Sequence, residues 1–265
     1  MGNLTGKICL IAGGAGTVGE GVVKAFLKQE ATVIVPSRSP ERLDRLREFV
    51  GPLLSERLQL LLGDLGEPQG AARLREEILA RWGGVSSVVA SLGGSWEERL
   101  PLLKVPMATF RTYQDNNFNA HLITAQTFLP VLMQQAGSSY TLLGGLSALM
   151  PVPLYSPVAV NSAAQLMLAK LLMTELKDAP VRINQVMCGY VHTRARSAYA
   201  KPEWITAEEV GEFAAYLASD AGRMISGGIL QLGDRPASAA GSAFAHGISG
   251  GTAPAAPVSE DPRNR

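Results

Sequence analysis

The feature that most constrains this chain is a regular alternation of short apolar runs with longer amphipathic stretches, sustained from the N-terminus to about Leu232. The first run is Ile8-Cys9-Leu10-Ile11-Ala12, followed by glycines and a helical pattern over Val18 to Gln29. Thr32 to Val35, Leu58 to Leu62, Val85 to Ala90, Tyr140 to Leu143, Val181 to Met187 and Ile229 to Leu232 read as six further strands. Between them the spacing predicts helices after Pro40, over Gln69 to Trp82, Met107 to Gln135, Val158 to Leu176 and Thr206 to Ser219. A strand that is apolar at every position must be covered on both faces, which is the condition of a parallel sheet with helices on either side. Right-handed crossovers then lead to an α/β, doubly wound parallel sheet of the Rossmann kind, a single domain of about seven strands.

The remaining composition narrows the function classes. Lys plus Arg number 24 against 23 for Asp plus Glu, so the basic excess of a nucleic-acid binder is missing. No apolar run is long enough to span a bilayer, and Met1 to Lys7 lacks the pattern of a signal peptide. Two cysteines, Cys9 and Cys188, make no disulfide framework, and the expected location is the cytoplasm. The folded domain is expected over residues 1–235. From Pro236 to the end, twenty of thirty residues are Ala, Gly, Ser or Pro without an apolar period, which reads as a mobile tail or as an arm across a neighbouring subunit.

Chemistry enters at the first strand-to-helix turn, Gly13-Gly14-Ala15-Gly16-Thr17-Val18-Gly19. Glycines there permit a tight turn and bring backbone N–H groups and a helix N-terminus up to a pyrophosphate, while Gly19 lets the helix pack close to the sheet. After the second strand the chain reads Pro36-Ser37-Arg38-Ser39. An acid at that place would hold a ribose 2′-OH. Ser37 repels nothing and Arg38 pairs with a 2′-phosphate, so NADP(H) is favoured over NAD(H).

On these residues the chain, from about Lys7 to Leu232, resembles the short-chain dehydrogenase/reductase family. Ala12 to Gly19 is similar to the family's TGGxGxxG variant, with Ala12 in place of Thr. The resemblance implies that Asp64, next to Leu65, meets the adenine, and that Gly93 is what survives of an NNAG segment at Ala90 to Gly94. Asn117 falls on the catalytic Asn. Cys188 to Thr193 resembles PGxVxT, which puts Thr193 against the carboxamide or phosphate side of the cofactor. Ser226-Gly227-Gly228 resembles the glycine turn before the last strand. Members pair through two long helices, so a homodimer or homotetramer is implied.

The same alignment exposes a departure. The family's serine falls on Gly145, and its Tyr-xxx-Lys falls on Val158 and Ser162, so three of four catalytic side chains are missing. Lys170 lies some four helical turns beyond Tyr155 and does not replace the lysine. Ser147 is a substitute for the serine. Tyr155, just before the long helix, and His192, after the sixth strand, are the candidate proton donors, and each has an alternative reading as a packing aromatic or a surface loop residue. Cys188 is either a thiol facing substrate or a small apolar filler. Two function classes follow. One is an oxidoreductase that moves hydride between nicotinamide and a carbonyl or alcohol with an unconventional acid. The other is a nucleotide-binding sensor or scaffold that has lost turnover.

Overall fold

A computed structural model of the chain describes residues 3–234. The strand β1 (Ile8–Ala12) is followed by α1 (Gly19–Lys28), β2 (Thr32–Ser37), α2 (Pro40–Val50), β3 (Leu58–Leu62), α3 (Pro68–Trp82) and β4 (Ser87–Ala90). The second half runs α4 (Met107–Gln114), α5 (Ala120–Leu132), β5 (Ser138–Gly145), α6 (Ser156–Glu175) and β6 (Val181–Cys188). Two short strands, β7 (Val191–His192) and β8 (Ile205–Thr206), precede α7 (Ala207–Ala218) and β9 (Ile229–Leu232). Seven strands form one parallel sheet in the order β3-β2-β1-β4-β5-β6-β9, and β7 and β8 pair separately. The doubly wound architecture read from the alternation is the one observed. The tail reading for 236–265 lies outside the described residues.

Alternation along each strand divides the core into two layers. Cys9 and Ile11 face a layer with Val22, Val23 and Phe26 of α1, Leu43 and Leu46 of α2, and Val210 and Ala214 of α7. Leu10 and Ala12 face the opposite layer, with Leu74 and Ile78 of α3, Phe128 and Leu132 of α5, and Ala169 of α6. In the middle of the sheet Leu10 sits between Ile34 and Val88. No helix among the described residues is long and apolar enough to cross a membrane.

Local signals set the helix ends. Ser39 caps α2 by accepting from the Arg42 amide, with Pro40 in the first turn where its missing N–H costs nothing. Thr206 and Glu209 form a capping box on α7. Gly83 closes α3 in the left-handed conformation. The helix expected over Met107 to Gln135 departs from the reading in one respect. A π-helical turn over Asp115–Asn119 separates α4 from α5. Such wide turns recur at functional sites.

α1 and α7 cross at Gly21, where a Cβ would fall on the backbone and Cβ of Ala207. Because the obstacle includes main chain, a side chain there must separate the helices. Gly21→Ala is expected to destabilise the fold by about 1–3 kcal/mol, read as a lower urea midpoint at unchanged slope.

Candidate functional site

The strand order reverses direction between β1 and β4, and a cleft of about 450 Å³ opens there at the carboxyl ends of the strands. Gly13 and Gly16 form its floor, and Ser91 to Gly94 beyond β4 form the facing wall. Gly13 has φ +79°, and a Cβ on it would fall on the Ser91 carbonyl, so only glycine fits. A Cβ on Gly19 would meet the Gly13 carbonyl, which is why α1 starts hard against the turn. Gly14 is buried against Val23 and Val35. Gly14 and Gly19 therefore shape the turn from behind, and they lie outside the cleft lining together with Thr17 and Val18. Inside the turn, the Gly16 amide donates to Gly13 O at 2.9 Å and the Glu20 amide to Gly16 O at 2.8 Å. The amides of Thr17, Val18 and Gly19 take no partner among the described residues. That is an anion cradle at a helix N-terminus.

One end of the cleft is lined by Ser37, Arg38, Arg42, Asp64, Leu65 and Asn116. The Ser37 hydroxyl is bound to the Ser39 backbone. Asp64 accepts from the Gly66 amide at 2.7 Å, and its other oxygen lies 3.7 Å from the Arg38 guanidinium. Arg38 also donates to Asn116 Oδ1 at 2.7 Å.

Further along, Asn117 holds the loop after β4. Its Oδ1 accepts from the Gly94 amide at 3.2 Å and its Nδ2 donates to Tyr113 O at 2.6 Å. Gly93, with φ +129°, leaves no room for a Cβ against Asn117 Oδ1. The Tyr113 hydroxyl donates to Gly94 O at 3.2 Å, and burial pushes its pKa up to about 12. Trp96 packs edge-on against Tyr113 and donates its indole N–H to Leu154 O at 3.0 Å. Leu154 has φ +66° and immediately precedes Tyr155. The network thus ties Asn117, through Tyr113 and Trp96, to the segment that carries the candidate acid.

Hydroxyls gather at the corner where the resemblance expects the catalytic residues. Ser147 Oγ donates to Ser162 Oγ at 3.0 Å. A Cβ on Gly145 would stand 3.0 Å from Ser147 Oγ, so the Ser147 hydroxyl fills the space a side chain at 145 would take. Tyr155 is half-buried at the N-cap of α6, seven residues before Ser162. Its hydroxyl has no hydrogen-bond partner among the described residues. Thr193 is buried, and its hydroxyl is unpartnered. His192 is exposed on β7, opposite in the strand alternation to buried Val191 and Thr193. Tyr155, His192 and Thr193 do not line the 450 Å³ cleft. Just beyond Thr193, Arg194 pairs with the buried Glu20 carboxylate in α1, with Nη2 to Oε2 at 2.9 Å and Nε to Oε1 at 3.3 Å. Burial raises the Glu20 pKa, while the Arg194 bond and charge pull it down. Cys188 is buried, and burial pushes its thiol up to about 12, which leaves it a filler rather than a nucleophile.

Residues that the sequence reading passed over are Arg42, Asn116, Tyr113, Trp96 and His121. Only Asn116 carried a visible signal, in the polar run Asp115-Asn116-Asn117 within a helical pattern. His121 is buried on α5 with Nε2 3.2 Å from Leu92 O. Gln165 Nε2 lies 3.2 Å from His121 Nε2, 3.4 Å from His121 Nδ1 and 2.9 Å from Leu143 O.

The comparisons with known proteins agree with this geometry. A family model described as enoyl-(acyl carrier protein) reductase matches residues 13–232. The chain is 29% identical to oxidoreductase asL5 of Sarocladium schorii, over 82% of this chain and 90% of that protein. It is 24% identical to the NADH enoyl-[acyl-carrier-protein] reductase FabI of Aquifex aeolicus, over 88% of this chain and 92% of that protein. A short-chain type dehydrogenase/reductase from Mycobacterium ulcerans superposes with TM-score 0.80 at 22% identity, covering 87% of this chain and 90% of the other. The chain belongs to the short-chain dehydrogenase/reductase family. It is therefore a member of an oxidoreductase family that binds NAD(P). The unpartnered amides after Gly16 are donors of the kind a dinucleotide's diphosphate takes, and the Thr193 hydroxyl is a further buried polar atom without a partner.

Burial lowers the His121 pKa from its ordinary 6.5 to about 4, the Leu92 carbonyl opposing this. The unfolded chain binds the extra proton first, so stability is complete above about pH 6.5 and falls as the pH drops toward about 4. Replacing His121 with Gln is expected to flatten that loss by roughly 3 kcal/mol across the window, measured by urea unfolding at a series of pH values.

Proposed function

We propose that this protein is an NADP(H)-dependent oxidoreductase acting on a carbonyl or alcohol, with Tyr155 as proton donor in place of a side chain at position 158. The observation that carries the cofactor choice is the pair Arg38 and Arg42 on the cleft wall after β2, where an acid would select an unphosphorylated ribose. Bound there, a dinucleotide would supply or accept the hydride. The Thr17 to Gly19 amides would hold the diphosphate, Asp64 and Leu65 would border the adenine, and the Thr193 hydroxyl would orient the carboxamide. With the Ser147–Ser162 bond reversed so that Ser162 donates, Ser147 beside Gly145 would have its own proton for the substrate oxygen, and Tyr155 would deliver the proton to that oxygen. Asn117 acts by keeping Gly93 and Gly94 in position. His192, facing away from Thr193, is the weaker donor. On α6 the apolar side chains Val160, Met167 and Leu171 are about half exposed and follow one helical stripe, which supports assembly into a homodimer or homotetramer.

A second reading is a nucleotide-binding sensor or scaffold without turnover. It is favoured by the Ser147–Ser162 bond, in which each hydroxyl engages the other with no cation at position 162.

A thermal-shift series with NADPH, NADP, NADH and NAD tests the common part. A ligand at a hundred times its dissociation constant stabilises by about 2.7 kcal/mol, and the larger shifts are expected with the 2′-phosphorylated pair. Arg38→Ala is expected to erase that preference, and a larger shift with NADH in the unaltered protein refutes the cofactor assignment. NADPH oxidation with a panel of aldehydes, ketones and enoyl thioesters separates the two readings. Tyr155→Phe is expected to lower any turnover by about 10²–10⁴-fold, and His192→Ala to leave it unchanged. A protein that binds NADPH but turns over only after Val158→Tyr with Ser162→Lys is the sensor.

A further inference from the structure

Arg38 is well exposed, yet its guanidinium is held at two points across the cleft. One Nη stands 3.7 Å from Asp64 Oδ2, and the other donates to Asn116 Oδ1 at 2.7 Å. The shorter contact is the one to Asn116. The orientation of that amide is fixed from its other end, because Asn116 Nδ2 donates to Thr112 O at 2.9 Å. The carbonyl oxygen is thereby the atom presented to the guanidinium. The π-helical turn over Asp115–Asn119 places two successive asparagines along the cleft, Asn117 against the Gly93–Gly94 loop and Asn116 against Arg38.

We infer that Asn116 is a specificity-determining residue for the nucleotide, one that holds the Arg38 cation in place over the adenosine end of the cleft without neutralising it. The inference rests on the NADP(H) reading above. Its physical content has two parts. A free arginine gives up substantial rotamer freedom when it binds a phosphate, and a guanidinium already held gives up less. The holding group also matters for charge. Asp64 is one carboxylate partner, and one of its oxygens is already engaged by the Gly66 amide. A second carboxylate at 116 would leave the guanidinium with two anionic neighbours and little attraction for a 2′-phosphate. A neutral amide oxygen positions the cation at no such cost. Asn116 acts on the ligand through Arg38 and is a positioning residue.

The test is isothermal titration of the full chain with adenosine 2′,5′-bisphosphate and with AMP, and with NADPH and NADH, for the unaltered protein, Asn116→Ala, Asn116→Asp, Arg38→Ala and the double variant Arg38→Ala/Asn116→Ala. The measured quantity is the ratio of affinities with and without the 2′-phosphate. Asn116→Ala is expected to lower this ratio about threefold to tenfold, and the isosteric Asn116→Asp by more than tenfold. In the Arg38→Ala background, Asn116→Ala is expected to have no further effect, which a general loss of structure would not reproduce. Should Asn116→Ala fail to fold, Asn116→Asp, which preserves size and shape, carries the test alone. If Arg38→Ala abolishes the ratio while both Asn116 variants keep it, the role of Asn116 is refuted and the cofactor reading stands. If Asn116→Ala lowers the ratio equally with and without Arg38, its action through Arg38 is refuted. If the unaltered protein does not distinguish the 2′-phosphorylated ligands at all, the cofactor reading falls and takes this inference with it.

Discussion

Three pieces of main chain meet at Gly13: the end of β1, the start of α1 and the segment leaving β4. A Cβ at Gly13 would strike the Ser91 carbonyl and one at Gly19 would strike the Gly13 carbonyl, so the crevice at the switch point exists only because both are absent. Such close approach starts α1 hard against the turn, with its first amides unspent. It also draws the β4 loop near enough for Gly93 and Gly94 to meet Asn117 on the neighbouring helix. Binding capacity here is a property of backbone packing, and side chains refine it.

This division is what lets the proposed reading combine a nucleotide site with a catalytic corner that departs from the family pattern. Unpartnered amides at the glycine turn tolerate side-chain exchange. The corner with Gly145, Val158 and Ser162 depends on particular side chains, and what stands there is the Ser147–Ser162 hydroxyl pair. The surroundings have been fixed by other means. Trp96 binds the Leu154 carbonyl, and Arg194 binds Glu20, so segments on both sides of the corner are tethered. A buried carboxylate left without its guanidinium would be costly, which makes the second tether a strong one.

The layered sheet was legible because burial on two faces demands apolar residues at every strand position, and the runs around Leu10, Ile34 and Val88 meet that demand. The ends of α2 and α7 are set by Ser39 and Thr206, whose side chains act within three residues of themselves. The π-helical turn was not legible, since Asp115 to Asn119 has no local signature that distinguishes a wide turn from a regular one. Among the site residues, Gly13, Gly16, Ser37, Arg38, Asp64, Leu65, Gly93 and Asn117 all line one cleft. His192 could be separated from Thr193 only by strand alternation in β7, an element too short to announce itself.

Periodicity and the run of glycines by themselves determined the α/β class, the order of elements and the position of the tight turn after β1, because each depends on neighbours in the chain. Tertiary structure alone decided that Arg38 spans the cleft from Asp64 to Asn116, that Ser147 fills the gap beside Gly145, and that His121 is sealed against Leu92 and Gln165. Those are contacts between residues far apart in sequence. Their energies depend on distance and burial, and neither is set until the sheet and its two helical layers have closed.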